Sequence, residues 1–167
     1  LSPLPENTVA TEGWDVNIPI AQKRLDPYGV KVYAVDDKHN LPFEDNIFDL
    51  VINRHSALIA TDIYHVLKTD GILITQQVGG LNNIRLNELL DAPSPVYGDI
   101  LLENTIQQLT DAGFDIIHAE ESFPEERYLD IGAVVFYLSV IQWQIDDFSV
   151  EKYRQQLGNS PYAASRI

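Results

Sequence analysis

Short apolar segments rich in β-branched residues alternate along this chain with segments of helical spacing. The apolar segments predict strands, and the third is a nearly continuous apolar run. Such runs are typical of strands buried on both faces of a parallel sheet. The predicted strands are residues 8–12, 31–36, 48–53, 72–76, 114–120 and 133–141.

Helices are predicted between these strands, from apolar residues spaced three and four apart. Asn17 is a candidate N-cap with Pro19 in the first turn, and Gly71 and Gly113 are candidate helix ends. The predicted helices are residues 17–25, 61–67, 81–90 and 100–112, with a short one in 149–157. The alternation predicts an α/β fold with a mostly parallel sheet, completed by a C-terminal antiparallel hairpin.

The chain of 167 residues, 45% of them hydrophobic, is long and apolar enough for one domain with its own core. No repeat or low-complexity tract divides it. We therefore predict a single domain over residues 1–167, with 158–167 as a loosely held tail.

The formal charge of −14, with only 11 Lys and Arg, argues against nucleic acid and anionic membranes as partners, because both are bound through cations. No apolar run approaches the roughly 18–20 residues that span a bilayer. Acidity also serves solubility alone. The expected partner is a small-molecule substrate, and no sequence feature indicates an oligomeric state.

Cysteine is absent, which excludes disulfides, thiolate catalysis and Cys-based zinc sites. The four histidines show no metal-ligand spacing, so no metal site is predicted. No signal peptide is recognisable at the N-terminus, and a cytoplasmic location fits these features.

The most specific stretch begins at Leu41 and reads Leu-Pro-Phe-Glu-Asp-Asn-Ile-Phe-Asp-Leu-Val; Lys-Thr-Asp-Gly follows from Lys68. This layout resembles the class I S-adenosylmethionine (SAM)-dependent methyltransferases, in the branch with the pattern Leu-Pro-Phe-Pro-Asp-Asn-Ser-Phe-Asp-Leu-Val. The resemblance covers residues 8–141. It implies SAM as the cofactor and methyl transfer to a small-molecule acceptor as the reaction.

The resemblance also implies which part of the family's fold is present. The predicted strands match the second to seventh strands of a sheet with the order 3-2-1-4-5-7-6. The first strand and the glycine-rich loop of the Asp-x-Gly-x-Gly-x-Gly kind have no match in this sequence. The implied fold is therefore N-terminally incomplete, with unpaired edges at the strands of residues 8–12 and 48–53.

Four residues are candidates for the family's nucleoside-binding roles. The resemblance implies that Glu12 receives both ribose hydroxyls, since a carboxylate has two accepting oxygens. Asp37 matches the Asp that accepts from the adenine amine, and Asp36 competes for that role at a shift of one residue. Trp14 is a candidate cover for the adenine. The alternatives are an acidic turn residue at the strand end for Glu12, solvated loop carboxylates for Asp36 and Asp37, and core packing for Trp14.

A second group follows the strands of residues 48–53 and 72–76. Ligands of open α/β sheets bind at the carboxyl ends of strands, which makes Asn53 a candidate cofactor contact. Arg54, Gln76 and Gln77 are candidate substrate contacts, although consecutive glutamines point to opposite faces. His55 is a candidate proton acceptor, with a partly buried structural histidine as the alternative. Arg54 and His55 replace the prolines of the family's amine-methylating motif, which puts that chemistry in doubt.

Two further functions compete with methyl transfer. One is a non-catalytic binding or assembly module with the same fold, which the unmatched glycine-rich loop favours. The other is a nicotinamide-dependent Rossmann enzyme, which needs a Gly-x-Gly-x-x-Gly turn that this sequence does not contain.

Overall fold

The computed structural model describes residues 3–36 and 41–159. Within these ranges strands and helices alternate in the first half of the chain, and helices follow in the second half. The strands are β1 Val9–Glu12, β2 Lys31–Ala34, β3 Phe48–Arg54 and β4 Leu67–Gln76. The helices are α1 Ile18–Leu25, α2 Ala60–Val66, α3 Ile84–Leu89, α4 Leu102–Asp111, α5 Ile131–Val140 and α6 Arg154–Asn159, with a 3-10 turn at Asp26–Tyr28.

The chain divides into two compact units. Unit 1 consists of Leu1–Gln77 with Ala112–Phe114, and unit 2 of Val78–Asp111 with Asp115–Ile167. All four strands belong to unit 1. The prediction of a single domain remains a prediction.

The strands of unit 1 form two parallel pairs. β1 pairs with β2, from Val9 opposite Lys31 to Glu12 opposite Ala34, and β3 pairs with β4. Parallel pairing between these neighbours agrees with the predicted α/β sheet. In the described residues the two pairs are separate two-stranded sheets. That a central strand is missing between them remains a prediction.

Strand β3 is less buried than its sequence predicts. Its run of apolar residues indicates a strand covered on both faces, yet each of its seven residues is half-buried or exposed. Within the described chain, β3 is hydrogen-bonded to a strand along one edge only. The expectation of a strand buried on both faces is therefore wrong for this structure.

The predicted helix end at Gly71 is an irregularity inside a strand. Helix α2 ends at Val66, and Leu67 is already extended, with φ −79° and ψ 139°. The register with β3 jumps between Leu67 and Ile72, and Asp70 has a φ of +63°. Gly71 therefore lies in a bulged part of β4, and its prediction as a helix end is wrong.

The predicted C-terminal hairpin is also wrong. Residues 115–129 form no regular element, and the apolar run that follows is helix α5, Ile131–Val140. Its N-cap is Asp130, whose Oδ1 accepts from Ala133 N at 2.8 Å. This run is apolar all round, so its periodicity does not distinguish a buried strand from a buried helix. The side-chain cap and the ten-residue length favour the helix.

Helices α3, α5 and α6 contribute to the core of unit 2. Its buried residues are Leu86, Leu90, Val134, Leu138, Ile145, Tyr153 and Leu157. Helix α6 reaches Asn159. The loose tail over residues 158–167 remains a prediction, and residues 160–167 lie outside the described residues.

Candidate functional site

The carboxyl end of the first strand pair brings two of the predicted nucleoside-binding residues together. Glu12 ends β1, and its Oε1 accepts from Trp14 N at 2.9 Å. Val35 N donates to Glu12 O at 3.1 Å, and this hydrogen bond extends the parallel pairing one residue beyond β2. Asp36 follows directly after Val35. The backbone thus orients a carboxylate at this edge, and each carboxylate oxygen has a further lone pair.

Trp14 projects from this edge with 66% of its surface exposed. That exposure is incompatible with the alternative of core packing. An exposed indole two residues from an oriented carboxylate suits the binding of a flat, polar-edged ring. Its contact with adenine remains a prediction, as does the ribose contact of Glu12. The predicted adenine contact Asp37 lies outside the described residues.

The carboxyl end of the β3/β4 pair carries the second predicted group, divided between the two faces of the sheet. On one face Arg54 Nε donates to Gln76 Oε1 at 3.0 Å. On the other face Gln77 Nε2 donates to Asn53 Oδ1 at 2.7 Å and to Thr75 Oγ1 at 2.9 Å. The two glutamines have partners on opposite faces, as strand alternation requires.

His55 leaves β3 in a left-handed conformation with a φ of +51°. Its N–H donates to Gln76 O at 2.9 Å, which holds this backbone against the end of β4. A left-handed residue other than glycine costs about 1–2 kcal/mol, and such residues cluster at functional sites. The side chain is exposed, so the alternative of a partly buried structural histidine does not describe it.

These two groups supply different chemistry. The end of β1/β2 offers carboxylate acceptors and an indole face, which suit hydroxyl groups and a flat ring. The end of β3/β4 offers guanidinium, amide and imidazole groups, which suit a polar ligand that exchanges a proton. Both groups lie at the carboxyl ends of parallel strands, where open α/β sheets bind ligands.

Thr75 is a member of the second group that sequence reasoning missed. Its hydroxyl accepts from Gln77, and it lies directly opposite Asn53 in the β3/β4 register. Strand alternation could have identified Thr75, because residues 53, 75 and 77 lie on one face once the register of the two strands is known.

Unit 2 contains a polar cluster that sequence reasoning also missed. Glu126 accepts from Asn83 Nδ2 at 3.0 Å and from the Tyr128 hydroxyl at 3.5 Å. The Tyr128 and Tyr137 rings meet edge to face, 5.5 Å apart. Burial raises the pKa of Tyr128 well above its ordinary value, and Tyr137 and Glu126 raise it further. Burial also raises the pKa of Tyr137. Glu126 itself is exposed, so these bonds attach a surface carboxylate to Asn83 and Tyr128.

Within residues 3–36 and 41–159, no three His, Cys, Asp or Glu side chains are grouped so that they would hold a metal ion. The same part of the chain contains no helix that is both long and apolar enough to span a bilayer.

No protein-family model and no curated protein matches this sequence. The YcgJ protein of Bacillus subtilis is 19% identical over 62% of this chain and 50% of its own, with a TM-score of 0.48. The [4+2]-cyclase SpnF is 21% identical over 90% of this chain and 60% of its own, with a TM-score of 0.54. The chain thus spans 50% and 60% of the lengths of these two structures.

The likeness to SpnF shows the class of fold. The chain has an α/β fold with parallel strand pairs, and its fold is similar to that of SpnF. Identity this low carries no statement about the reaction or the ligand.

Proposed function

We propose that the protein binds SAM and transfers its methyl group to a small-molecule acceptor. The observation that carries this proposal is the oriented carboxylate of Glu12, with the exposed Trp14 beside it, at the carboxyl end of a parallel strand pair. The stretch from Leu41 to Val51, which resembles the methyltransferase pattern, leads into the second strand pair. The fold shared with methyltransferase-like structures supports the proposal.

The residues of unit 1 fit the nucleoside part of SAM. Glu12 would accept from the ribose hydroxyls, Trp14 would cover one face of the adenine, and Asp36 or Asp37 would accept from its amine. Asn53 would hold the cofactor from the side of β3. Bound SAM supplies a methyl group on a positively charged sulfur, and the acidic chain favours that charge.

The proposed roles at the end of β3/β4 concern the acceptor. Arg54, Gln76 and Gln77 would orient it, and the fixed backbone of His55 would hold its imidazole ready to take a proton from an acceptor hydroxyl. If so, His55→Ala lowers turnover by about 10²–10⁴-fold while cofactor affinity is retained. A structural role would instead lower thermal stability and leave the turnover of folded protein intact.

The residues do not fit every part of SAM. The glycine-rich loop that normally contacts the methionine part has no counterpart in this sequence. This favours the second candidate, a binding or assembly module with the same fold and no catalysis. It also predicts that this 167-residue chain binds the cofactor weakly.

Fluorescence of Trp14 tests the nucleoside site. The chain has two tryptophans, so Trp143→Phe leaves Trp14 as the only indole reporter. We expect saturable quenching by S-adenosylhomocysteine, the demethylated product. The additional change Glu12→Gln removes a charged acceptor and should weaken binding by about 1–3 kcal/mol. Identical titrations with and without Glu12→Gln would remove Glu12 from the site.

A further inference from the structure

A cavity of about 480 Å³ lies within unit 2. Its walls are formed by residues of two segments, 80–84 and 94–99, which both belong to that unit. Small-molecule sites in proteins occupy roughly 300–1,000 Å³, so this volume suits a small ligand. We call the space between residues 80–84 and 94–99 the unit 2 cavity.

Backbone hydrogen bonds hold both wall segments in place. Gly80 N donates to Ile100 O at 2.6 Å, which joins the first segment to the end of the second. A Cβ on Gly80 would clash with Tyr97 O, so this close approach of the two backbones requires glycine. Val96 N donates to Trp143 O at 3.1 Å, which fixes the middle of the second segment. The cavity is therefore bounded by a fixed backbone.

Side chains of two helices hold the second segment as well. In α3, Asn87 Nδ2 donates to Pro93 O at 2.5 Å, directly before the segment. In α4, Asn104 Nδ2 donates to Asp99 O at 2.8 Å, at the end of the segment. A site whose backbone is fixed before the ligand arrives loses less conformational entropy on binding. These bonds therefore make the cavity a preformed one.

The residues that line the cavity combine apolar surface with one negative charge. Leu81 and Val96 are 46% and 58% exposed, which leaves apolar area that a ligand can cover. Of the described residues that line the cavity, Asp99 alone is charged, and Ser94 adds a hydroxyl group. Within the described part of the chain, the Asp99 carboxylate makes no hydrogen bond or ion pair. The lining itself thus favours a cation, whatever the charge of the whole chain.

The basic residue nearest to the lining in sequence is already paired. Arg85 is the only Lys or Arg in residues 78–111, and its Nη1 lies 2.6 Å from Glu88 Oε2. We propose that the unit 2 cavity binds a small molecule with an apolar body and one ammonium group. The ammonium donates charge-assisted hydrogen bonds to Asp99, and the apolar body covers Leu81 and Val96. None of these residues has a role in the proposed methyl transfer, so this proposal is independent of it.

Three probes with a phenylalkyl body and different charges test the proposal: 2-phenylethylamine, 2-phenylethanol and 3-phenylpropanoate. Amide chemical shifts of the ¹⁵N-labelled chain follow their binding. We expect saturable binding of the amine, with a dissociation constant of about 1 mM or less and with shift changes at residues 80–84 and 94–99. The alcohol should bind at least about fivefold more weakly, because it lacks the charge, and the carboxylate should bind more weakly still.

Variants separate the charge of Asp99 from the apolar wall. Asp99→Asn keeps the shape of the side chain, and it should weaken amine binding at least about fivefold while alcohol binding is unchanged. The matched control is Asp115→Asn, which removes the same charge from an exposed aspartate of unit 2 outside the lining and should leave amine binding unchanged. Val96→Ser should weaken binding of the amine and the alcohol alike, because it removes apolar surface.

Three results would overturn the proposal. Equal weakening in Asp99→Asn and Asp115→Asn would show a general attraction of cations to the acidic chain. Equal affinity for the amine and the alcohol would show that the ammonium group is not recognised. Shift changes outside the two segments, or no saturation at about 20 mM amine, would show that the unit 2 cavity is not a binding site.

Discussion

The buried amide of Asn87 should be a main source of stability in unit 2. Its Nδ2 donates to Pro93 O at 2.5 Å and to Gln144 O at 2.9 Å, and its Oδ1 accepts from Gln144 Nε2 at 2.7 Å. Both side chains are almost fully buried. Asn87→Ala removes three hydrogen bonds of about 1 kcal/mol each and leaves the carbonyl of the buried Gln144 without this donor. We expect a loss of about 3 kcal/mol in the free energy of unfolding.

Urea unfolding followed by Trp143 fluorescence measures this loss, in a Trp14→Phe background where Trp143 alone reports. Trp143 directly precedes the buried Gln144, and its carbonyl accepts from Val96 N, so the reporter lies next in the chain to the network that is tested. The matched control is Asn104→Ala, which removes one exposed hydrogen bond, to Asp99 O, and should cost less than about 1 kcal/mol. A cost for Asn87→Ala no greater than that of the control would refute the role of this network.

Three further outcomes are expected. Gly113→Ala should lower the midpoint of thermal unfolding, because Gly113 has a φ of +105° and the added Cβ would lie 3.0 Å from the Tyr64 ring. The control in the same thermal scan is Gly158→Ala, because the space around Gly158 is open. Burial raises the pKa of Tyr128 and Tyr137 above 10, so the stability gained by keeping them neutral is complete below pH 10 and is lost as pH rises further. The free energy of unfolding should therefore fall above about pH 10, and less steeply in the double Tyr→Phe variant; equal slopes would contradict this. Binding to tRNA and to duplex DNA should be weak at physiological salt, given a charge of −14, and a steep salt dependence with submicromolar affinity would disprove it.

Much of unit 1 is predictable from sequence because its strands are short, β-branched and bounded by turn residues. Strands β1 to β3 and helix α1 lie within one or two residues of their predicted bounds. The partial exposure of β3 is not predictable from its sequence. An apolar run indicates that a strand can be buried, but not whether another element packs against it. The bulge at Gly71 could not be predicted from the sequence, because the same residues are also typical of a helix end.

Unit 2 was predicted less well. Helix α5 is apolar on all sides, and its sequence predicts a strand, because short apolar runs of this kind suit either element. The Asn87–Gln144 pair joins residues 57 positions apart, and nothing local in the sequence links them. The candidate site residues were found from the ends of predicted strands, whereas Thr75 required the register of β3 against β4.

The binding of S-adenosylhomocysteine to the ¹⁵N-labelled chain, followed by amide chemical shifts, tests the central claim most directly. We expect chemical-shift changes at Glu12–Trp14, at Asp36 and at Asn53–His55. In Glu12→Gln the same changes should require a higher ligand concentration. Because the sequence contains no glycine-rich loop, binding should be weak, with a dissociation constant larger than about 10 µM. Shifts confined to unit 2, or none at about 10 mM ligand, would contradict the claim that unit 1 binds the cofactor.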